Sequence, residues 1–460
     1  MHSEQGRQWN IFVLGLDDFH REQLDRVAGA EEYAFHALST PDELMLTGVT
    51  SRRNSDIPLP MPGQAGTPSY PFEAIASRVF EQLDDFDGNV DGVVGYWDFP
   101  TSTMVPVIAE RYGLPGPTLD AVLRCEHKYW SRLIQREVAP EMVPAFHAFD
   151  PFGDHVRAQI PLAYPFWVKP VKAFSSYLGF RIENDDDLAR AVERFRNDIH
   201  VIGEPFGRLM EQVDAPAEVQ RWGGMSCVAE ELVDGRQCTV EGYVSGGEVT
   251  AYGVISSSRE ANGSSFHHFL YPANESPASQ ARLIDASARI VRAMGLDQSA
   301  FNIEFFCDDE RDQVWLLEVN PRISQSHTEL FALVDGRPNC QAPVKLAVGE
   351  DPAMPRGEGP YAVAAKFMYR AFEDAIVRRA PGPCEVERVE SLFPGTRVSI
   401  EVEQGMQLST KPGQDSYSFE LAVIYTGGHN EAELMRRYEE ARELLAFDLE
   451  PVGDAVATAR

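Results

Sequence analysis

Hydrophobic and polar positions in the first 120 residues alternate as expected of short strands followed by helices. Ile11–Leu14, Tyr33–Leu38 and Val90–Tyr96 are apolar runs of strand length, and Thr101–Tyr112 has the spacing of a helix. Strands and helices that alternate at this spacing form a parallel sheet covered by helices. This part of the chain is therefore predicted to be an α/β lobe.

The pattern changes after residue 120. Ala121–Val138 is predicted to be one helix, and it carries Lys128. Ala281–Met294 is predicted to be an amphipathic helix that ends at Gly295. Six strand-like runs occupy much of the remaining sequence up to residue 320: Phe166–Lys169, Ser226–Val233, Cys238–Val244, Val249–Ser256, Phe301–Phe306 and Val314–Val319.

The linker Gly349–Gly359, rich in glycine, proline and acidic residues, precedes a last segment of the chain. Asn430 and Glu433 are spaced to cap a final helix in that segment. The strand-like runs before this helix are Tyr361–Tyr369, Arg397–Val402 and Phe419–Tyr425. The segment is therefore predicted to be an α+β lobe.

Composition narrows the class of protein. The 460 residues, 43% hydrophobic and 24% charged, indicate a globular chain of several lobes. There is no apolar run of transmembrane length and no signal-peptide pattern, and the six cysteines form no CxxC pair. We therefore expect reduced thiols and a cytoplasmic protein without a membrane partner. The net charge of −30 argues against a nucleic-acid partner.

The most informative segment is a pair of apolar strand-like runs that each contain a glutamate. If the turn between them is centred on Arg311, Glu304 lies opposite Glu318, and Asn320 projects from the same face. Like charges opposed across a sheet are destabilising, and partial burial adds to the cost. A cation between them would remove this cost, and two carboxylates with an amide oxygen suit Mg²⁺. The alternative is a register shifted by one residue, which leaves both glutamates on a solvated face.

The second acid opens the segment Glu318-Val319-Asn320-Pro321-Arg322, fourteen residues after Glu304. This arrangement closely resembles the metal-binding end of the ATP-grasp superfamily. The resemblance implies that Glu304, Glu318 and Asn320 hold two Mg²⁺ ions, with Mn²⁺ as an alternative metal, against the phosphates of ATP. It also implies that Arg322 meets the bound substrate or an acyl phosphate, a role suited to a bidentate guanidinium.

The same resemblance assigns two lysines, Lys128 and Lys169, to the nucleotide phosphates. Lys169 ends an aromatic-rich strand, where a polyphosphate would supply the charge partner that such a lysine lacks. For Lys128 the alternative is a solvated helix face. Arg322 and Lys169 are therefore the candidate catalytic residues.

Residues 229–235 resemble the hinge that borders adenine in this superfamily. Their alternative interpretation is a strand followed by a common Asp-Gly turn. For the ribose, Gln237 and Glu241 are both candidates, and the sequence does not choose between them. The hinge residues assigned to adenine are Glu230, Glu231, Leu232 and Val233.

Other candidate contacts rest on position alone. Where many relatives have a glycine-rich phosphate loop, Ser175 and Ser176, with Lys172, could donate hydrogen bonds to phosphates. Three further residues are candidates for contact with substrate. Arg259 and His267 flank a Gly-Ser loop, with surface positions as the alternative, and His327 is either a general base or a buried structural histidine.

The resemblance covers most of the chain and predicts an α/β fold that is α+β in its centre. The predicted domains are an N-terminal Rossmann-like lobe (1–120), an ATP-grasp domain (121–350) and a C-terminal lobe (351–460) like that of biotin carboxylases and some amino-acid ligases. Within the ATP-grasp domain, a nucleotide lid is expected at about 150–230 and a larger lobe at 231–350.

The function implied is that of an ATP-dependent carboxylate–amine ligase, which forms an acyl phosphate and then an amide or peptide bond. We expect a small carboxylate, an amino acid, and an amine acceptor as substrates; a homodimer is compatible with the sequence. One alternative is a bicarbonate-phosphorylating, carboxylase-like enzyme, which Ser326 disfavours because biotin carboxylases have an acid there. The other is a nucleotide-binding sensor without turnover, which the complete metal cluster and Arg322 disfavour.

Overall fold

The structure is a computed structural model. It describes residues 8–452 with the exception of 42, 45–68, 174–177, 264, 309–310 and 412–417. Ser175 and Ser176 therefore lie outside the described residues. None of the described helices combines the length and the apolar character needed to cross a membrane.

The N-terminal lobe is a parallel sheet covered by helices. Its elements in chain order are β1 (Trp9–Leu14), α1 (Asp18–Leu24), β2 (Tyr33–Leu38), α2 (Phe72–Asp84), β3 (Gly92–Gly95) and α3 (Thr101–Tyr112). The three strands lie in the order β2-β1-β3, with parallel pairing on both sides of β1. The predicted α/β lobe is thus confirmed, and the turn after β3 carries Asp98 toward the centre of the molecule.

The helix predicted over residues 121–138 is in fact two helices, so that prediction was wrong. They are α4 (Leu119–Glu126) and α5 (Lys128–Val138). His127 separates them with φ −76° and ψ 96°, and its imidazole accepts a hydrogen bond from the Trp130 N–H. The break lets the Lys128 N–H donate to the Val171 carbonyl at 2.8 Å. A contact distant in sequence therefore replaces a helical hydrogen bond, which the local pattern does not reveal.

A small antiparallel sheet forms the next part of the chain. Its elements, with the helices beside it, are β4 (Phe146–Phe149), β5 (Phe166–Pro170), β6 (Phe180–Ile182), α6 (Asp185–Asp198), α7 (His200–Met210), α8 (Ala217–Trp222) and β7 (Cys227–Glu231). The strand order is β4-β7-β5-β6. Strand β5 is therefore central, and Phe166 packs in the same apolar core as Phe195 of α6. Lys169 projects from this central strand.

The rest of the chain builds one large antiparallel sheet. Its elements and their helices are β8 (Arg236–Ser245), β9 (Glu248–Arg259), β10 (Phe266–Tyr271), α9 (Pro277–Met294), β11 (Ser299–Asp308), β12 (Gln313–Asn320), α10 (Thr328–Val334), α11 (Gln341–Ala347), β13 (Val363–Ala371), β14 (Ala375–Arg379), α12 (Pro383–Leu392), β15 (Arg397–Ile400), β16 (Phe419–Gly428), α13 (Glu431–Leu444) and β17 (Asp448–Pro451). Eight strands lie in the order β12-β11-β8-β9-β10-β13-β16-β15, while β14 pairs with β17 separately. Three strands from the last hundred residues thus continue the central sheet, and the domain boundaries stay a prediction.

The two faces of the large sheet differ in character. One face is apolar: Leu283 and Ile290 of α9 pack on Val240, and α13 packs on the C-terminal strands. As predicted, α9 ends at Gly295, whose φ is 73°. The opposite face carries polar side chains from β8, β11 and β12 and turns toward the small sheet and the N-terminal lobe. This polar face holds the candidate site.

The turn between β7 and β8 depends on a glycine at position 235. Gly235 has φ 145°, and an added Cβ would lie 2.9 Å from the Cys307 carbonyl oxygen. We expect Gly235→Ala to lower the free energy of unfolding by about 1–3 kcal/mol through backbone strain alone, with steric overlap added. Gly247→Ala is the control, because Gly247 also has a positive φ of 80° but meets nothing within 4 Å. Equal thermal unfolding midpoints for the two variants would contradict this account.

Candidate active site

The β11–β12 hairpin brings two glutamates face to face. Glu304 pairs with Glu318, and Asn302 pairs with Asn320. The predicted opposition is therefore confirmed, but it depends on an irregularity that the sequence did not indicate. Toward the turn the register shifts by one residue, which leaves Leu317 as a bulge. Without this bulge, Glu318 would not be the partner of Glu304 and would project from the other face.

The two carboxylates have different electrostatic surroundings. The Lys128 ammonium lies 2.6 Å from Glu318. Glu304 accepts hydrogen bonds from the amides of Gln237 at 2.8 Å and Asn320 at 3.4 Å, and no described lysine or arginine lies within ion-pair distance of it. Burial and the neighbouring Glu318 raise the pKa of Glu304 to about 7. Burial would also raise the pKa of Glu318, but Lys128 and Lys169 outweigh it and lower that pKa.

This pair fits a bound cation. Glu304 lacks a positive partner although it faces another carboxylate, and a cation between them would favour the ionised form of both. The described residues contain no group of three or more His, Cys, Asp or Glu side chains that could hold a metal. A metal ion here would use Glu304, Glu318 and the Asn320 amide oxygen, with its other ligands from water or substrate. Mg²⁺ accepts such incomplete protein coordination.

Two lysines lie beside the carboxylate pair. Lys128 donates to the Ala173 carbonyl at 2.6 Å as well as to Glu318, and both contacts follow from the break before α5. Lys169 lies 2.7 Å from Glu230, the hinge residue on the neighbouring strand β7. Burial lowers the pKa of Lys169, although Glu230 opposes this effect. The structure therefore brings the two predicted phosphate lysines to one place.

Arg132 joins the small sheet to the hairpin, and sequence reasoning missed it. Its Nε donates to Glu230 at 2.7 Å, and its two terminal nitrogens donate to the carbonyls of Leu316 and Leu317 at 2.9 and 3.0 Å. These carbonyls flank the bulge, so Arg132 holds the irregular backbone in place. Its position one helical turn after Lys128 was a signal that the two share a helix face.

The predicted hinge residues differ in what their side chains contact. Arg132 and Lys169 overcome the effect of burial and lower the pKa of Glu230 to about 2. The Glu230 carboxylate therefore serves these cations rather than a nucleotide. Glu231 is exposed, and Leu232 and Val233 are partly exposed after the end of β7. The side chains of Leu232 and Val233 are thus partly accessible after the end of β7.

The two ribose candidates have different surroundings. Gln237 joins the site, since it donates to Glu304 and accepts from Arg259 Nη2 at 2.8 Å. Glu241 is completely buried and accepts hydrogen bonds from several donors within the protein. One of its contacts is the His327 imidazole at 2.7 Å, which makes His327 part of an internal cluster.

The two other substrate candidates lie apart. Arg259 reaches Gln237, and its guanidinium stacks 4.6 Å from the centre of the Phe266 ring. His267 contacts His268 and packs edge-on against Tyr438 of α13, on the apolar side of the sheet. The structure therefore brings Arg259 to the carboxylate cluster and leaves His267 on the other face.

Asp98 links three parts of the molecule, and no sequence pattern had pointed to it. One carboxylate oxygen lies 2.8 Å from Arg322 Nη2, and the other lies 3.0 Å from the Lys172 ammonium. Lys172 also pairs with Glu126 at 2.9 Å. Burial would raise the pKa of Asp98, but Lys172 and Arg322 hold it well below its usual range. Lys172 therefore contacts carboxylates of the protein rather than an open phosphate site.

The comparison with known families agrees with this geometry. Residues 162–329, which span most of the small sheet and the β11–β12 hairpin, match the family described as the ATP-grasp domain. This stretch of the chain is similar to ATP-grasp domains. The resemblance drawn from the residues after Glu304 is thus confirmed.

Other proteins share this ATP-grasp fold. The crystal structure of an L-amino acid ligase from Bacillus licheniformis superposes with a TM-score of 0.66 at 18% identity, over 96% of this chain and 99% of that one. The biotin carboxylase domain of a Hydrogenobacter thermophilus 2-oxoglutarate carboxylase, solved with MgADP and bicarbonate, gives a TM-score of 0.64 at 13% identity, over 96% and 92%.

A curated relative of the chain is the mitochondrial methylcrotonoyl-CoA carboxylase subunit alpha of Arabidopsis thaliana. It is 23% identical over 376 residues, which are 75% of this chain and 45% of the relative. The chain spans less than half the length of the curated relatives that it matches first. These comparisons establish the ATP-grasp fold.

The raised pKa of Glu304 makes the carboxylate pair sensitive to pH when no metal is bound. The carboxyl titrates near 4.5 when unperturbed and at about 7 in the folded chain. The unfolded state thus loses this proton first, so the contribution of Glu304 to stability falls as pH rises from 4.5 to 7. We expect Glu304→Gln to raise the melting temperature relative to wild type in EDTA at pH 8, and to have little effect at pH 4.5.

The matched control is Glu248→Gln, at an exposed position at the start of β9. It should leave the difference between pH 4.5 and pH 8 as in wild type. Mg²⁺ should raise the melting temperature of wild type and of Glu248→Gln at pH 8, but not that of Glu304→Gln. A pH profile of Glu304→Gln that superposes on wild type in EDTA would show that this assignment is wrong.

Proposed function

We propose that the protein is an ATP-dependent ligase that joins a carboxylate to an amine through an acyl phosphate, with release of ADP and phosphate. The observation that carries this proposal is the opposed pair of Glu304 and Glu318, with the Lys128 ammonium 2.6 Å from Glu318. Arg322 follows on the same segment and extends the site away from the pair. Such an arrangement serves phosphoryl transfer, because it gathers a metal and cations around anionic oxygens.

In this proposal the nucleotide occupies the cleft between the small and the large sheet. The hinge backbone at Glu230 and Glu231 meets the adenine edge, and Leu232 and Val233 cover the ring. Lys128 and Lys169, with Ser175 and Ser176, bind the phosphates. Gln237 contacts the ribose in this proposal, because its amide already donates to Glu304.

Mg²⁺, held by Glu304, Glu318 and Asn320, would neutralise phosphate charge when bound; we propose two ions, with Mn²⁺ as a substitute. The net charge of the chain is −30, so the protein as a whole repels anionic substrates. A carboxylate that approaches the γ-phosphate brings two anions together. Lys128, Lys169 and Arg322 surround the pair and reduce this repulsion, since electrostatic interactions are stronger in a cleft from which water is excluded.

The reaction then has two steps. A carboxylate oxygen of the first substrate attacks the γ-phosphorus, and the bond to ADP breaks. The amine nitrogen of the second substrate attacks the acyl carbon, phosphate leaves, and the amine gives up a proton. Arg322 is suited to hold the carbonyl oxygen as charge develops on it, and Asp98 keeps its guanidinium in position at 2.8 Å.

The comparisons favour an amine as the acceptor, with an amino acid as the activated carboxylate. The L-amino acid ligase shares the fold over nearly the full length of both chains. Because some relatives are carboxylases, bicarbonate is an alternative first substrate for this chain. Ser326 disfavours it, since biotin carboxylases have an acid at this position. Ser326 Oγ instead lies 3.0 Å from the Lys366 ammonium.

A test of the reaction is ADP release from Mg-ATP in the presence of pairs of amino acids, with products identified by mass spectrometry. ADP release that requires an amino acid and accompanies a condensation product supports the ligase. ADP release only with bicarbonate and biotin would replace it by a carboxylase. ATP binding without ADP release under every condition would replace it by a sensor.

The role of Arg322 can be separated from general disruption. We expect Arg322→Met to lower kcat/KM for amide formation about 100- to 1000-fold, because the developing charge loses its donor. Arg311→Met is the control, because Arg311 lies in the hairpin turn with 74% of its side chain exposed. Both variants should keep binding to an ATP analogue. An unchanged rate for Arg322→Met would contradict the proposed role.

A further inference from the structure

A second cationic position lies on the polar face of the large sheet, away from the carboxylate pair. Lys366 of β13 is paired in register with Phe269 of β10 and Tyr425 of β16. Phe269 is in turn paired with Ser257, and Ser257 with Gln237. Residues directly opposed in neighbouring strands project from the same face. Lys366 therefore shares its face with Gln237, which contacts Glu304.

The groups in direct contact with the Lys366 ammonium are a hydroxyl and two aromatic rings. Its ammonium lies 3.0 Å from Ser326 Oγ, and it lies 5.9 and 5.7 Å from the ring centres of Phe269 and Tyr425. In the described part of the chain no carboxylate is within ion-pair distance of it. The two acids that influence it from β16 and the end of β15 have other partners, since Glu420 pairs with Arg370 and Glu401 with Lys411.

The lysines near the nucleotide cleft behave differently. Lys128, Lys169 and Lys172 each have a carboxylate within 3.0 Å. A lysine whose polar neighbours are neutral hydroxyls attracts an anion more strongly than one already paired. Ser326 adds to this property, because its oxygen accepts from Lys366 and its own proton stays available for donation.

Aromatic rings border the Lys366 ammonium. Lys366, Ser326 and Phe269 are each partly exposed as residues. Tyr425 stacks on Phe19 of α1 with ring centres 6.3 Å apart, which brings the N-terminal lobe to the same place. An anion with a short apolar body would meet both the charge and the rings.

The anion at Lys366 is a different group from the carboxylate that is phosphorylated. Neighbouring strands lie about 4.8 Å apart, so three strand spacings place the Lys366 backbone roughly 14 Å from that of Gln237. Lys366 is thus too distant to serve the γ-phosphate. Ser326, however, follows Arg322 by four residues on the segment that leaves β12. A molecule whose amine reacts near Arg322 can therefore extend toward Lys366.

We propose that Lys366 and Ser326 bind an anionic group of the acceptor, so that the enzyme selects amines which carry a carboxylate or a phosphate. This proposal rests on the ligase function proposed above and specifies its second substrate. With an amino acid as acceptor, the product would be a dipeptide with a free terminal carboxylate.

The first experiment measures binding without turnover. The protein, loaded with Mg²⁺ and a non-hydrolysable ATP analogue, is titrated calorimetrically with the twenty proteinogenic amino acids and with their amides. O-phosphoethanolamine and ethanolamine form a second matched pair. We expect at least one anionic member to bind more tightly than its neutral partner by about 10- to 100-fold, the loss expected for a charge-assisted hydrogen bond. The pair that shows this difference identifies the anion as carboxylate or phosphate.

The second experiment assigns the difference to Lys366. Lys366→Met should abolish the difference in affinity between the anionic and the neutral probe. Lys366→Arg should retain most of this difference, and Ser326→Ala should reduce it. Lys345→Met is the control, because Lys345 pairs with Glu350 outside this face. An amino acid that binds as the first substrate is recognised by its dependence on Arg322, since Arg322→Met then weakens binding and Lys366→Met does not.

The outcomes separate this proposal from the ligase function. If the anionic probes bind selectively through Lys366 but no pair of substrates releases ADP, the anion site at Lys366 is supported and the proposed ligase function is wrong. If ADP is released but Lys366→Met leaves the KM of the acceptor unchanged, the ligase stands and this site is wrong. Equal binding of the anionic and neutral members of every pair, or no binding by any anionic probe, also overturns it. Thermal melts verify that each variant is folded.

Discussion

Two carboxylates that face each other across a hairpin are the constraint around which this molecule is organised. Glu304 and Glu318 repel each other, and their partial burial increases the cost. The chain tolerates them because Lys128 neutralises one, while burial and the facing carboxylate raise the pKa of the other to about 7. Arg132 fixes the backbone bulge that makes them opposite. The unfavourable arrangement is thus stabilised from a different helix, which suggests that its value lies in binding a cation.

The cations around this pair illustrate how an acidic chain prepares a site for a polyanion. Lys169 forms an ion pair with Glu230, and Lys172 forms ion pairs with Asp98 and Glu126. Each pair avoids an uncompensated buried charge, whose cost would be several kcal/mol. A phosphate that arrives beside Lys169 competes with Glu230 for the same ammonium, while Arg132 continues to neutralise Glu230. The site can therefore accept negative charge without leaving an acid unpaired.

Sequence patterns recovered the parts of this arrangement that are local. The spacing of Glu304 and Glu318 predicted their opposition, and Gly295 predicted the end of a helix. The break at His127, the bulge at Leu317 and the role of Asp98 were not predictable in this way. Each depends on a contact with a residue far along the chain, such as Val171 for the helix break. Local propensity does not contain such contacts, because tertiary hydrogen bonds supply the energy that the local conformation lacks.

One internal acid anchors the segment that follows β12. Glu241 is fully buried and accepts from the Ser324 N–H at 3.1 Å and from the Asn339 amide at 3.1 Å, with the His327 imidazole at 2.7 Å. Ser324 and His327 lie on either side of Ser326, and Arg322 lies just before them. This acid therefore anchors the segment at two points, one on each side of Ser326. In the proposed acceptor site, this anchoring would hold Ser326 beside Lys366, so that the acceptor would be selected by its length as well as its charge.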